Sequence, residues 1–265
     1  MNSEATSTRA LADRRCVVLL GEPGMGKTSA LAAGLALRPR TEALQSLNLD
    51  LGIYASEDRL VRAVFESETV RAWQSGSELL CLTLDGFDEA LNRVETLDRL
   101  LGDYLRTWDC ERLFIRLVCR TADWPQTLRP VLEDRFGDAN MHELLPLRRS
   151  DAGVLLRAAG LDADQVLAAV EQAHIVPLAA RPLTLRLIQS AISPDGSLPG
   201  SARALYERGL FALLDEMNPA RRGSMRPLGG AARRRGAAER IAALSTFGGR
   251  LTVGRARLRR QRRRI

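Results

Sequence analysis

Eight consecutive residues near the N-terminus, GEPGMGKT, have the types and spacing of a phosphate-binding loop. They fit the pattern G-x-x-x-x-G-K-[ST], with an apolar strand pattern before them and a helix pattern after them. The glycines allow backbone N–H groups to turn inward around an anion, the lysine can reach the β- and γ-phosphates, and the threonine hydroxyl can bind Mg²⁺. The candidate nucleotide-binding residues are Gly21, Glu22, Pro23, Gly24, Met25, Gly26, Lys27, Thr28 and Ser29.

A group of acids follows the apolar run LLCLTL, which leads into Asp85. The carboxyl ends of strands form the ligand crevice in an open α/β sheet, so we expect Asp85 to face the loop and to bind Mg²⁺ with Thr28. Asp88 and Glu89 follow, and either could orient an attacking water or accept its proton. The competing interpretation is a surface turn with scattered acids, because Asp-Gly is a common turn dipeptide.

One arginine, Arg120, comes directly after the next apolar run, LFIRLVC. It should therefore emerge on the same edge of the sheet as the phosphate loop. A guanidinium in that position can sense the γ-phosphate or stabilise the charge that develops as this group leaves. The alternative is an arginine that simply ends a strand near the surface.

Charge is distributed unevenly along the chain. Its net charge is +7, but fifteen arginines and one acid follow from Arg221 onward and carry +14, so residues 1–220 carry −7. The body is thus no obvious nucleic-acid surface. The sequence holds 38 arginines and a single lysine, Lys27, in the phosphate loop, where a compact ammonium can reach between phosphates and a planar guanidinium replaces it poorly.

Strand and helix patterns alternate through about residue 150, which predicts a parallel sheet with helices on both faces and right-handed crossovers. The predicted strands span residues 15–20, 47–54, 78–84, 112–119 and 141–147. Helix patterns between them cover residues 27–37, 56–73, 94–108 and 124–136, and helices alone follow at 151–160, 164–173, 183–192, 202–217 and 237–245. The fold class we expect is α/β: a P-loop NTPase core followed by a smaller helical domain and the start of a winged-helix-like region.

The domain boundaries follow from these patterns. We expect a disordered segment over 1–13, the nucleotide-binding core over 14–150, a helical domain over 151–200, an incomplete winged-helix-like region over 201–252, and a basic tail over 253–265. The arginine-rich tail is consistent with a truncated or frameshifted product. The rival interpretation is a solvated arm that binds nucleic acid or an acidic membrane through phosphate contacts.

The three motifs together resemble the NACHT group of signal-transducing STAND ATPases. The most specific part is Asp85-Gly86-Phe87-Asp88-Glu89, and Arg120 matches the family's sensor arginine. The segment RPLTLRLI is similar to the family's proline-leucine segment, which implies that Pro182 contacts the adenine end of the nucleotide. The resemblance implies an ATP/ADP switch with Mg²⁺ that oligomerises on ATP binding and works with a separate sensor or effector protein.

The chain departs from this family in having about 15 residues before its first strand and in lacking a placeable winged-helix histidine. Two other functions therefore stay open: a P-loop phosphotransferase acting on a small molecule, and an AAA+-like nucleic-acid-dependent ATPase. No apolar run approaches the ~20 residues that a membrane span needs, and no signal peptide is evident, so we expect a cytoplasmic location. The four cysteines form no CxxC pair and are expected to be buried apolar residues.

Overall fold

The computed structural model describes residues 6–36, 44–192, 197–199, 201–213 and 231–248. Strands and helices alternate as far as residue 143, and helices alone follow. The predicted basic tail, residues 253–265, lies outside the described residues, as does much of the predicted winged-helix-like region.

Five parallel strands form one sheet over the described residues, in the order β2-β3-β4-β1-β5. Each predicted strand is present, which confirms the α/β class. Three strands are buried on both faces because their sequences are predominantly apolar. The strands are β1 (Cys16–Leu20), β2 (Leu44–Asp50), β3 (Leu79–Asp85), β4 (Leu113–Cys119) and β5 (Met141–Glu143).

The helices of the nucleotide-binding core connect these strands. They are α1 (Lys27–Ala36), α2 (Glu57–Val64), α3 (Glu68–Ser75), α4 (Phe87–Leu91), α5 (Leu97–Thr107) and α6 (Leu128–Phe136). The helices that follow are α7 (Arg149–Ala158), α8 (Ala163–Gln172), α9 (Val176–Ala179), α10 (Pro182–Ala191), α11 (Ala202–Leu213) and α12 (Ala231–Gly248). Short 3₁₀ turns occupy Thr8–Leu11, Leu51–Ile53 and Thr121–Asp123.

Two clusters of buried apolar side chains hold these elements together. The first joins one face of the sheet to helices α2–α6, and its members run from Cys16 to Ala139. The second lies among α7–α11, and its members run from Ala152 to Leu205. All four cysteines are buried, as predicted. The two clusters fit a core followed by a helical unit, while the exact domain boundaries stay a prediction.

The N-terminal segment differs from the expected disorder over Thr8–Leu11, where a 3₁₀ turn forms. Arg116 of β4 explains the difference, because its side chain is buried and donates to the carbonyl oxygens of Ala12 at 2.9 Å and Arg15 at 3.1 Å. These hydrogen bonds tie the chain ahead of β1 to the sheet. An arginine in an apolar strand pattern gives no sign in the sequence of the partner it will find.

Two strands end earlier than predicted. The Asp50 carboxylate accepts a hydrogen bond from the Gly52 N–H at 3.0 Å, which turns the chain into a 3₁₀ turn directly after β2. Strand β5 ends at Glu143, although the Leu144 N–H still donates to the Leu20 carbonyl at 3.0 Å. None of the described helices is long and apolar enough to cross a membrane.

Candidate functional site

The predicted phosphate loop connects β1 to α1. Gly24 and Gly26 have φ angles of 79° and 82°, a left-handed conformation that glycine adopts without strain. The Met25 N–H donates to the Glu22 carbonyl at 3.3 Å, and the Ala30 N–H donates to the Gly26 carbonyl at 2.9 Å as α1 begins. The loop thus turns tightly at the end of a buried strand and leads into a helix whose N-terminus carries partial positive charge.

The side chain of Lys27, the predicted phosphate-binding lysine, contacts the phosphate loop. Its Nζ donates to the carbonyl oxygens of Gly21 at 2.5 Å and of Glu22 at 3.0 Å. Burial lowers the pKa of Lys27, and the nearby Asp88 carboxylate opposes that shift. The ammonium is therefore partly withdrawn from water and held by loop carbonyls, which are weaker partners than phosphate oxygens.

Thr28 and Asp85 meet directly, although 57 residues separate them in the sequence. The Thr28 hydroxyl donates to Asp85 Oδ2 at 2.6 Å, and Asp85 Oδ1 accepts from the Gly86 N–H at 2.8 Å. Hydroxyl and carboxylate oxygens are the ligands that Mg²⁺ prefers. Within the described residues no group of three or more His, Cys, Asp or Glu could hold a metal ion. A cation at Thr28 and Asp85 therefore needs further oxygen ligands, such as those of nucleotide phosphates.

Strand β4 lies between β1 and β3, so Arg120 emerges between the phosphate loop and the acids. Arg120 Nε contacts Asp88 Oδ2 at 2.8 Å, and the Asp88 side chain is only 7% exposed whereas that of Arg120 is 44% exposed. The guanidinium thus neutralises a carboxylate that would be costly to bury alone.

Asp88 and Glu89 stand on α4, a five-residue helix that the sequence patterns did not predict. Gly86, with φ 72°, reverses the chain between β3 and α4. Phe87 is fully buried and packs against the first core cluster, which anchors the helix. The structure therefore separates the two acids: Asp88 is buried against Arg120, and Glu89 is partly exposed.

A further acid, Asp50, was missed by the sequence reasoning. It is paired with Asp85 across β2 and β3, at the same edge of the sheet. A Cβ added at Gly86 would lie 3.4 Å from Asp50 Oδ1. The signal that points to it is the similarity of the strand ends LNLD and LTLD, each an apolar-alternating run that finishes in aspartate. Asp50 holds the turn after β2 and borders the acidic side of the site.

Glu143 also lies at this edge, at the end of β5. Its Oε1 accepts a hydrogen bond from the Thr121 hydroxyl at 2.9 Å, directly after Arg120. Glu143 is paired with Leu20, the residue that precedes the loop. This contact fixes the chain segment that carries Arg120. The place of Glu143 at this edge depends on the register of β5 against β1, which the sequence alone does not give.

Pro182 lies against the phosphate loop. A Cβ added at Gly26 would be 3.4 Å from Pro182 Cγ, and the next residue, Leu183, contacts Gly24. Contact of Pro182 with an adenine stays a prediction. Among the other loop residues, Met25 is buried, whereas Glu22, Pro23 and Ser29 are exposed.

No family model matches the chain, and no curated protein is significantly similar to it in sequence. Among solved structures it is similar to the RuvB Holliday junction branch migration motor of Thermotoga maritima, at 17% identity, with a TM-score of 0.42, covering 90% of this chain and 80% of that one. It is also similar to the Aeropyrum pernix ORC1 protein in complex with DNA, at 15% identity, with a TM-score of 0.43, covering 90% and 81%.

A third similar structure is the closed state of Hsp104 with ATPγS and FITC casein, at 16% identity and a TM-score of 0.42. The match covers 91% of this chain and 48% of that one, so the chain spans about half the length of this relative. These likenesses are too distant to assign a function.

The contact between Arg120 and Asp88 predicts an energetic coupling. Arg120→Gln leaves a buried carboxylate without its cation, so we expect the free energy of unfolding to fall by about 2 kcal/mol, less than for a fully buried pair because Arg120 is partly exposed. Adding Asp88→Asn to Arg120→Gln removes the buried charge. The free energy of unfolding of this double variant should therefore be about 1 kcal/mol higher than that of Arg120→Gln alone. Urea unfolding measures these values.

Arg99→Gln is the matched control, because Arg99 is an exposed arginine on α5. It should change the free energy of unfolding by less than about 0.5 kcal/mol. Strictly additive effects of Arg120→Gln and Asp88→Asn would show that the pair contributes nothing.

Proposed function

We propose that this chain binds ATP and ADP with Mg²⁺ and hydrolyses ATP slowly, as a nucleotide switch of the NACHT type. The observation that carries the proposal is the hydrogen bond between Thr28 and Asp85. It brings the end of the phosphate loop to the acidic strand end, at the edge where Arg120 also emerges. Phosphate, metal and water chemistry require these side chains together, and they come from three separate parts of the sequence.

Each residue has a defined role in this proposal. The loop amides and the Lys27 ammonium hold the phosphates, and binding replaces the contacts of Lys27 with neutral carbonyls by contacts with negatively charged phosphate oxygens. Thr28 and Asp85 would help to hold Mg²⁺, which would supply positive charge to offset that of the phosphates. Arg120 senses the γ-phosphate through its terminal nitrogens while Asp88 holds its Nε.

Glu89 is the better candidate than Asp88 for orienting the attacking water. The Asp88 carboxylate is buried and occupied by Arg120, whereas Glu89 is partly exposed on the same short helix. Water can reach a partly exposed carboxylate, whereas the Asp88 side chain is almost fully buried. Asp88 then serves to position Arg120.

The NACHT resemblance supports the finer part of the proposal. The segment from Asp85 to Glu89, Arg120 and Pro182 all match the family pattern, and the sequence has no guanine-reading NKxD motif, which favours ATP over GTP. A switch of this type would be closed with ADP, would oligomerise with copies of itself on ATP binding, and would act with a separate sensor or effector. Nucleotide that co-purifies with the chain should accordingly be ADP.

A second candidate is an ATPase whose turnover depends on nucleic acid. The observation that favours it is the +14 charge carried from Arg221 onward, because clustered arginines bind phosphate backbones. Most of these arginines lie outside the described residues, although Arg233, Arg235 and Arg240 are exposed on α12. Aromatic side chains for base stacking are scarce there, since Phe247 is the one aromatic beyond Arg221.

Lys27→Ala should abolish nucleotide binding, because the phosphates lose their one lysine cation. Measured by titration calorimetry with ADP, affinity should fall about a hundredfold or more. Lys27→Arg is the matched control: it keeps the charge but not the compact head group, so we expect partial loss only. Unchanged ADP affinity in Lys27→Ala would refute the proposed site.

Glu89→Gln should leave ATP binding intact and slow hydrolysis about a hundredfold, because the amide cannot accept the proton of the attacking water. Asp88→Asn, in contrast, should weaken the contact that positions Arg120. It should therefore change the ratio of ATP affinity to ADP affinity more than it changes the rate of hydrolysis. Release of inorganic phosphate and binding of both nucleotides measure these effects. Normal hydrolysis by Glu89→Gln would transfer its role to Asp88 or to water alone.

Addition of DNA should change the rate of ATP hydrolysis by less than about twofold if the chain is a switch. A nucleic-acid-dependent ATPase would instead be stimulated about tenfold or more, and the stimulation would weaken steeply between 0.05 and 0.2 M salt. The same assay with candidate small-molecule acceptors tests the phosphotransferase alternative. Efficient phosphoryl transfer to an acceptor would exclude the switch.

A further inference from the structure

The N-terminal end of α10 packs directly on the phosphate loop. The Leu183 N–H donates to the Gly24 carbonyl at 3.1 Å. A Cβ added at Gly24 would lie 2.8 Å from Leu183 Cβ and 2.9 Å from its Cδ2, closer than real contacts allow. Gly24 is therefore needed for the approach of α10 as well as for its left-handed conformation.

This hydrogen bond caps the helix. The first N–H groups of an α-helix lack partners within the helix and need an outside acceptor. Pro182, the first residue of α10, has no N–H. The preceding residue, Arg181, makes no capping hydrogen bond through its side chain to any residue that the structure describes. The Leu183 N–H takes the Gly24 carbonyl instead, so a phosphate-loop carbonyl does the work that a Ser or Asp side chain does elsewhere.

The same hydrogen bond orients an amide of the phosphate loop. The peptide group is planar and trans, so the Gly24 C=O and the Met25 N–H point in opposite directions. Anchoring the carbonyl on Leu183 turns the Met25 N–H toward the Glu22 side of the loop, where it makes a long hydrogen bond of 3.3 Å. A bond of that length is weak and is readily exchanged for a phosphate oxygen.

We propose that Leu183 is a positioning residue for phosphate binding, acting through Gly24 on the Met25 amide. The inference rests on the proposed nucleotide function and adds a part that the motif alone does not contain: the helical unit supplies one hydrogen bond that shapes the loop. By linkage, nucleotide that orders the loop also stabilises the start of α10. The loop and the helical unit then respond to nucleotide together.

Two substitutions separate the backbone N–H of Leu183 from its side chain. Leu183→Pro removes the donor in the first helical turn, where the lost N–H has no hydrogen-bond partner inside α10. Leu183→Ala keeps the donor and shortens the side chain, which is 44% exposed and so contributes little to the core. Val154→Ala is the matched control, because Val154 is an exposed apolar residue of α7 in the same helical unit.

Titration calorimetry of the full chain with ADP decides between the outcomes. We expect Leu183→Pro to weaken ADP binding about fivefold, the scale of one backbone hydrogen bond, and Leu183→Ala and Val154→Ala to change it less than about twofold. Wild-type affinity in Leu183→Pro, with binding lost in Lys27→Ala, overturns this inference and leaves the proposed function standing. Failure of the unaltered chain to bind ADP overturns the proposed function, and this inference with it.

Amide hydrogen exchange on the unaltered chain keeps the inference testable if Leu183→Pro does not fold. ADP should slow exchange at the Leu183 amide at least about threefold, because a fixed Gly24 carbonyl holds this donor more of the time. Amides in the middle of α8, which is remote from the loop in sequence, should change less. Equal exchange at Leu183 with and without ADP contradicts the inference.

Discussion

The hydrogen bond between Thr28 and Asp85 depends on the order of the sheet. Strand β4 separates β1 from β3, so the two residues meet only if all three parallel strands keep their register. That register rests on predominantly apolar strands that are buried on both faces. The polar site at the carboxyl edge of the sheet is thus positioned by buried strands. A shift of one residue in any of these strands would separate Thr28 from Asp85.

The two cations at this edge of the sheet have different partners. Arg120 neutralises the buried Asp88, while Lys27, whose pKa is lowered chiefly by burial, donates to two loop carbonyls and lies near the Asp88 and Asp85 carboxylates. This arrangement leaves two roles distinct: a partly exposed guanidinium fixed by a buried carboxylate, and a half-buried ammonium whose carbonyl partners an anion can displace. Binding of a phosphate would then reorganise the loop more than it reorganises the acids.

Local patterns in the sequence predicted the α/β class, the five strands and the residues at three of their ends, because apolar runs and glycine spacing act over a few neighbouring residues. Other features need the register between distant segments. The position of Asp50 at the site follows from its pairing with Asp85 across two strands. The roles of Arg116 and Leu183 follow from their hydrogen bonds to the carbonyls of Ala12 and Gly24. Helix α4 escaped prediction because five residues are too few to show a helical period.

The environment of Lys27 has a consequence for chemical labelling. Amine-reactive reagents attack the uncharged form of lysine, and burial raises the fraction of Lys27 in that form. Since the sequence contains no other lysine, such a reagent has one ε-amine to modify, and the N-terminal amine is its main competitor. An anion that binds Lys27 would protect this amine from the reagent. The intact mass of the acylated chain would therefore report whether the loop is occupied, without mutation or an attached fluorophore.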